Sequence, residues 1–528
     1  MKPQFDPQSQ MFNTSQRRRI LAASISANLF ANVSMSGLNV ALPVIEKALD
    51  LSAVVMVWVA SSLLLATAAS IAPVARLADV WGRRQTTILG LTIIITASAA
   101  CGLATGAAGL LSGRVLMGLG MAMVMAATMA MAAAVYPPDR RGMVFGYIVS
   151  AVYIGLAAGP GLCGLLVELL GWPSVFWLTS LSLILPLALL LSVGSKVPRS
   201  NNCNKPWLRC SDFSRQQSGK KPERLARTCH SYCCAGPKVD KAPAEAAGRH
   251  YDYLGAGLWM LSLSLIFIGL PNLLRPSGPV LVLGGLLVGL AFVRRQLAVD
   301  RPLMDVRLFA DSRRFRWASL AAFTAYCSAM GAIFLMGLYL QYIKGFSPKE
   351  AGFFLMVQPL VQALLTPLTG RLSDSRDPGR IAAVGLAITT IAVLMIALGL
   401  SKDTSLVYIL VALVVFGVGF AAFAAPNSNA VMSSVTTDKL GVASGVITAT
   451  RLVGQISSLS FTALVFSLMI GVGRMGPELF PDFIRAARFC FLVFAPMCFL
   501  GAIVSLIGDQ GRGGTRNHLI REPQVMES

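Results

Sequence analysis

The sequence predicts an all-α integral membrane protein with fourteen transmembrane helices. Of its 528 residues, 55% are hydrophobic and 13% are charged, whereas a soluble domain carries about 25% charged residues. The apolar residues form continuous runs of roughly 18 to 25, the length that crosses a bilayer as a helix. Such runs exclude a membrane β-barrel, whose strands alternate over about ten residues.

Fourteen apolar runs divide the chain into predicted spans. The spans lie near residues 20–43, 54–75, 86–105, 108–134, 143–170, 173–194, 253–272, 278–295, 316–341, 349–370, 380–400, 405–434, 441–470 and 485–507. A polar segment ending in "RRRI" precedes the first run, so we expect a retained anchor rather than a cleaved signal peptide. An even number of spans places both termini on one side of the membrane.

The basic residues predict which side that is. Those sharing the face of the termini are Arg17 to Arg19, the loop after the second span, Arg140, Arg141, the segment after Arg199, Arg313 to Arg316, Arg371 to Arg380, Arg512 and Arg516. The opposite loops are short and hold only Lys47, Arg275, Lys344, Lys349, Lys402 and Arg474. The positive-inside rule therefore predicts a multi-pass cell-membrane protein with cytoplasmic termini. The net charge of +21 indicates contact with anionic lipid headgroups, and we expect no nucleic-acid partner.

Span spacing predicts the domain organisation. We expect a cytoplasmic N-terminus (1–19), a six-helix bundle (20–195), a basic cysteine-rich linker (196–252), two extra transmembrane helices (253–295), a cytoplasmic loop (296–315), a second six-helix bundle (316–508) and a cytoplasmic tail (509–528).

A charged loop occurs twice. "ARLADVWGRR" follows the second span and contains Arg76, Asp79, Gly82, Arg83 and Arg84, and "GRLSDSRDPGR" follows the tenth span and contains Arg371 and Asp374. Parallel repeats in a multispanning chain indicate a transporter of two related bundles, with its substrate bound between them.

These loops and three further motifs resemble the major facilitator superfamily, and in particular its fourteen-span drug:proton antiporters of the multidrug efflux type. The further motifs are "SGRVLMGLG" with Arg114, "GYIVSAVYIGLAAGPGLCG" with Gly155, Gly159 and Pro160, and "LNVALP" in the first span. The sequence departs from the family pattern at Ala75, Val80, Met117 and Cys163, and Ser34 stands where the first-span motif has an acid. The resemblance implies export of amphiphilic small molecules by alternating access with proton antiport, and no cofactor.

Elementary chemistry leaves alternatives open for these residues. Asp79 could cap the next helix, pair with arginine, or close the cytoplasmic side as a gate; topogenic charge alone would explain Arg83 and Arg84 but not Asp79. Gly155 and Gly159 allow close helix packing, and Pro160 predicts a kink. A charge within a span is costly, so Arg114 is expected to face the bundle interior, whereas Arg451 could equally bind a carbonyl near a helix break.

Acidic residues are scarce in the predicted spans. Glu168 is the only acid that we place inside a span, so Asp79, Glu168 and Arg114 are the candidates for proton coupling. The candidate substrate-binding residues are Asn32, Asn39, Tyr153, Tyr326, Gln358 and Gln362. With Ser34 in place of an acid and two arginines in spans, we expect neutral or anionic amphiphiles to be exported better than cations.

The cysteine-rich linker contains Cys203, Cys210, Cys229, Cys233 and Cys234 beside His230. A zinc site would need a second ligand pair at the usual spacing, so we favour a disordered linker and expect no metal. The expected partners are the lipid bilayer, a small-molecule substrate and protons, and we expect a monomer. No catalytic constellation or ATP-binding loop is present, which predicts no enzyme activity. The alternatives are a metabolite facilitator of the same fold and a receptor or scaffold that transports nothing.

Overall fold

The computed structural model describes residues 14–136, 138–193, 251–299, 302–435, 440–471 and 475–509. The predicted N-terminal segment before residue 14, the linker up to residue 250 with its five cysteines, and the tail from residue 510 lie outside the described residues. The side chains of Arg140, Arg141 and Asp374 are also outside the described part.

Fourteen long helices make up the described residues, which contain no β-strand. The helices are α1 Thr14–Leu49, α2 Ala53–Trp81, α3 Arg83–Gly102, α4 Ala107–Val135, α5 Pro138–Leu170, α6 Pro173–Ser192, α7 Tyr253–Gly269, α8 Ser277–Ala298, α9 Arg313–Leu338, α10 Pro348–Ser375, α11 Pro378–Gly399, α12 Leu406–Met432, α13 Leu440–Met469 and α14 Phe480–Asp509. All fourteen coincide with stretches long and apolar enough to cross a membrane. The predicted fold class is confirmed.

Short polar residues begin several of these helices. The Ser52 hydroxyl accepts a hydrogen bond from the N–H of Val55 at the start of α2. Ser347 and Glu350 form a reciprocal capping box at the start of α10. These side chains satisfy backbone N–H groups that the first helical turn leaves without partners.

The helices form two bundles and an extra pair. In the first bundle, α1 packs against α5, and α4 packs against both α2 and α3. In the second bundle, α9 packs against α13 and α14, and α12 packs against α10 and α11. The extra helices α7 and α8 pack against each other, and α7 packs against α2, where the indole N–H of Trp259 donates to the carbonyl oxygen of Ala68 at 3.2 Å.

Two helix pairs make the main contacts between the bundles, α5 with α10 and α2 with α13, and α1 also contacts α9 and α10. We call the face where α1 begins and α14 ends the terminal face, and the opposite one the distal face. Near the distal face, α5 and α10 touch through their backbones: a Cβ on Gly352 would lie 2.3 Å from the carbonyl oxygen of Pro160, and one on Gly164 would lie 2.4 Å from that of Pro348. The small residues therefore set a close contact between the bundles.

Candidate functional site

The charged loop of the sequence analysis covers the end of α2 and the start of α3, and the chain turns sharply between these helices on the terminal face. Gly82 has a φ of +113°, a conformation that glycine adopts readily, so α3 can begin at the next residue. One turn before it, Asp79 pairs with Arg83 at 3.2 Å, and half of the Asp79 side chain is exposed. Asp79 does not cap α3, because the N-cap of that helix is Gly82 and has no side-chain hydrogen bond.

The two arginines that open α3 bind carbonyls near the ends of neighbouring helices. Arg83 donates to the carbonyl oxygen of Ala130 on α4 at 2.8 Å. Arg84 donates twice to that of Leu190 on α6, at 3.2 and 2.8 Å. A cation is favourable near a helix C-terminus, where the carbonyls point outward. These bonds fasten the start of α3 to its own bundle.

Arg76 reaches the connection between the extra pair and the second bundle. It donates to the carbonyl oxygen of Pro302 at 3.0 Å. The next two backbone N–H groups, of Leu303 and Met304, donate to the side-chain oxygen of Gln296 on α8 at 2.6 and 3.2 Å. The charged loop therefore contacts the segment that leads into α9.

Asp252 anchors the same connection from the start of α7. Its carboxylate accepts hydrogen bonds from the Gly255 N–H at 2.9 Å, from Arg295 at 2.8 Å and from the Gln296 amide at 3.0 Å. Burial raises the pKa of this carboxyl, but the hydrogen bonds and the Arg295 charge outweigh burial and hold the pKa below its usual range.

In the second copy of the loop, Asp377 has described contacts, whereas the side chain of Asp374, which the repeat indicates, lies outside the described residues. Arg371 is exposed on α10. Asp377, which the sequence comparison passed over, caps α11 by accepting from the Gly379 N–H at 3.2 Å. It also pairs with Arg314 at the start of α9, at 3.5 Å. The signal was present in "DPG", because an aspartate followed by proline is a common helix start.

Arg114 lies inside the first bundle, as its position predicted. It is 2% exposed, and its Nε donates to the carbonyl oxygen of Val59 on α2 at 3.1 Å. Its Nη1 is buried without a hydrogen-bond partner among the described residues. One guanidinium nitrogen is therefore available to a group that enters the bundle.

The glycines of α5 set its distance from α1. A Cβ on Gly155 would lie 2.4 Å from the carbonyl oxygen of Leu29, and one on Gly159 would lie 2.0 Å from the Ser36 hydroxyl. Pro160 follows within the helix. Any larger side chain at either glycine would push α1 away from α5.

Four of the six residues predicted to bind substrate come together at mid-depth between the bundles. The Tyr153 hydroxyl of α5 lies close to the side chain of Gln362 on α10, and close enough to Tyr326 and Arg451 to interact with both electrostatically. Gln358 donates to the Gln362 side-chain oxygen at 3.3 Å. We call Tyr153, Tyr326, Gln358, Gln362 and Arg451 the central cluster.

Asn32 and Asn39 have other surroundings. Asn32 donates to the carbonyl oxygen of Asn28 in its own helix at 2.8 Å. Asn39 is 4% exposed, near the distal end of α1, where its carbonyl oxygen faces Gly337 of α9.

The distal contact between the bundles contains an acid that the sequence analysis missed. Glu46 is 4% exposed near the end of α1. Its carboxylate accepts a short hydrogen bond from the hydroxyl of Tyr342, which follows α9. It also accepts from the N–H of Met475 at 3.1 Å. Nearby, the Gln341 amide donates to the carbonyl oxygen of Val40 at 3.1 Å.

Glu46 escaped notice because the apolar run ends at residue 43, whereas the helix continues to Leu49. Glu168, by contrast, is exposed at the end of α5. Among the side chains that the structure describes, no group of three His, Cys, Asp or Glu residues could hold a metal ion.

Comparisons with known proteins agree with this architecture. The profile of the Major Facilitator Superfamily matches residues 25–459 and 318–523. The chain is 23% identical over 470 residues to the riboflavin transporter RibZ of Clostridioides difficile (89% of this chain, 92% of RibZ). It is 27% identical over 437 residues to the multidrug resistance protein Stp of Mycobacterium tuberculosis (81% and 71%).

Among solved structures, the chain is similar to a bacterial homologue of the human lysosomal transporter Spinster in an inward-facing, unoccupied conformation. The TM-score is 0.64 and the sequence identity is 18%, over 94% of this chain and 98% of the other. At this identity the likeness shows the fold alone. Together with the profile match and the paired bundles, it establishes that the chain belongs to the major facilitator superfamily and is a transporter of that family.

Proposed function

We propose that this transporter is a secondary active exporter of amphiphilic small molecules that works by alternating access and proton antiport. The observation that carries the proposal is the combination of a distal contact, formed by Glu46, Tyr342 and Met475, with a polar and aromatic cluster at mid-depth between the same bundles. A substrate site closed on one side is what alternating access requires.

The predicted topology assigns the two faces of the protein to the two sides of the membrane. The terminal face carries the repeated basic loops, so it is assigned to the cytoplasm of a cell membrane, with both termini there. The described conformation is then closed toward the outside. The central cluster would receive substrate from the cytoplasm or from the inner leaflet, which suits export.

Proton antiport is proposed from the charged residues along the route. Asp79 and Glu168 are the acids at the two ends of the first bundle, and Arg114 offers a buried nitrogen between them. Glu46 joins these candidates because it lies within the contact that must open. The sequence contains no nucleotide-binding loop, so an ion gradient is the energy source proposed.

Multidrug efflux is supported by the named function of Stp, and the name of RibZ supports a second candidate, transport of a metabolite such as riboflavin. The central cluster suits either, because tyrosines can flank a planar aromatic ring. The receptor or scaffold named as an alternative in the sequence analysis is not proposed further, because the chain belongs to a family of transporters. The predicted linker, monomeric state and contact with lipid headgroups are retained as part of the proposal.

Inverted membrane vesicles test these alternatives. Vesicles that contain the full chain and are energised by a proton gradient should accumulate a fluorescent amphiphile, and an uncoupler should abolish that accumulation. Entry of riboflavin down its concentration gradient, unchanged by the uncoupler, would instead support a facilitator. Absence of both, with protein present at normal levels, would contradict a transport function for these substrates.

A further inference from the structure

Arg451 is a cation at mid-depth with its hydrogen-bonding capacity only partly used. It lies near the middle of α13, where a charge in a membrane protein usually has a partner. Its Nη2 donates to the Ser428 hydroxyl on α12 at 2.5 Å. Its Nε is buried without a partner, and no acid among the described residues pairs with it.

An unused acceptor lies one helical turn further along α13. The side-chain oxygen of Gln455 is buried and has no hydrogen-bond partner among the described residues. Residues four apart share one face of a helix, so Gln455 lies on the same side of α13 as Arg451. An incoming molecule with an acidic oxygen and a neighbouring N–H or O–H group would satisfy both side chains.

Aromatic rings border this pair. The Arg451 guanidinium lies over the Tyr326 ring, 5.6 Å from its centroid. Phe420 packs edge-on against Tyr326, at 5.3 Å between centroids. Tyr153 approaches from α5, in the other bundle. A flat ring bound here would contact aromatic faces while its acidic group lies next to the guanidinium.

We propose that Arg451 and Gln455 form the charge-selecting part of the substrate site, and that the site takes planar aromatic molecules carrying an acidic group. The proposal rests on the proposed export function and adds the substrate class. A cationic aromatic would be disfavoured there, because like charges repel strongly in a poorly solvated site. Among the described residues, the central cluster contains no acid that would compensate a second cation.

A purely structural role for Arg451 is the competing explanation. Ser428 accepts from Arg451 and donates to the carbonyl oxygen of Ala424 on its own helix at 2.7 Å. Arg451 could therefore serve only to fasten α13 to α12. In that case, removing the Ser428 hydroxyl should lower thermal stability and dye affinity as much as removing the guanidinium.

The test uses two dyes with the same xanthene core, anionic fluorescein and cationic rhodamine 123. Their binding to the purified full-length protein is measured by fluorescence anisotropy, and their movement is measured in energised inverted vesicles. We expect the wild-type protein to bind fluorescein more tightly. Arg451→Gln should weaken fluorescein binding by about 10- to 100-fold, the range for one hydrogen bond to a charged group. Rhodamine binding should stay equal or improve.

Two further variants separate the explanations. Arg451→Lys keeps the charge and should recover part of the fluorescein affinity. Ser428→Ala should leave that affinity within about threefold, because the Ser428 hydroxyl contacts the guanidinium and not the ligand, and the charge that attracts fluorescein remains. Equal loss in Ser428→Ala and Arg451→Gln, with matching drops in thermal stability, would favour the fastening role and overturn the proposal.

If Arg451→Gln does not fold, dye binding by the wild-type protein still tests the proposed substrate class. Tighter binding of rhodamine 123 than of fluorescein would overturn the substrate class. Selective fluorescein binding without any energised movement of either dye would leave the site intact and contradict the proposed export function instead.

Discussion

Replacing Glu46 with alanine should open the distal contact between the bundles. The change removes the acceptor of two hydrogen bonds, from the Tyr342 hydroxyl and the Met475 N–H. Hydrogen bonds to a charged group contribute about 1.5–3 kcal/mol each, and a buried group left without a partner adds a penalty. The loss is therefore at least about 3 kcal/mol, a shift of roughly 100-fold in a two-state equilibrium.

The shift can be measured as a distance distribution between spin labels on the distal face. Ala48 at the end of α1 and Asp403 between α11 and α12 are both exposed and belong to different bundles. Labels at these positions, in a background without native cysteines, should show one short distance in the parent protein. Glu46→Ala should transfer most of the population to a longer distance.

Two control variants narrow the interpretation. Glu46→Gln retains one amide oxygen for the Met475 N–H, so its shift should be intermediate. Lys47→Ala changes the neighbouring exposed residue and should leave the distances unchanged. An unaltered distribution in Glu46→Ala, at normal expression and thermal stability, would refute the view that this carboxylate closes the distal face.

The remaining predictions concern the terminal face, the linker and helix packing. Asp79→Asn should leave expression intact and abolish most energised dye transport, and full transport would contradict a role in gating. Deletion of residues 200–248 should retain transport, whereas stoichiometric zinc lost with that deletion would support a metal site. Gly159→Leu should lower the melting temperature more than Gly146→Leu, because a Cβ on Gly159 collides with Ser36 while one on Gly146 meets no atom. The stabilising effect of Asp252, measured against Asp252→Asn, should be present at neutral pH and decline as pH falls through its lowered pKa, since protonation removes the charge that Arg295 binds.

The helical architecture could be predicted because bilayer thickness imposes it on the sequence. An apolar run of about 20 residues usually forms a transmembrane helix. The repeated charged loops indicate two related bundles. The central cluster was partly predictable, because Asn, Gln and Tyr side chains within spans are natural polar candidates for contact with a substrate. Tyr153, Tyr326, Gln358 and Gln362 were therefore found as candidates without any knowledge of their contacts.

The role of Glu46 could not be predicted by the same means. A hydropathy boundary marks where the apolar run ends, and Glu46 lies beyond that boundary in a segment that resembles a loop. Its burial comes from Tyr342 and Met475, which are about 300 and 430 residues away in the sequence and approach only when the bundles meet. Asp377 was missed because the two loops were matched by the spacing of their charged residues, and a match of spacing takes no account of which residue caps a helix.

We propose that Glu46 and Asp79, the two acids at opposite ends of the first bundle, act on one conformational equilibrium. Glu46 joins the bundles on the distal face, whereas the described bonds of Asp79 stay within the first bundle on the terminal face. This difference is consistent with two closing contacts, one on each face. Only the distal contact is formed in the described conformation, and the terminal contact would form in the other conformation. Because α2 alone separates the two ends by about 40 Å at 1.5 Å per residue, the two sites share no partner. The effects of Glu46→Ala and Asp79→Asn on the distance distribution should therefore add, with opposite signs, to within about 0.5 kcal/mol in the double variant.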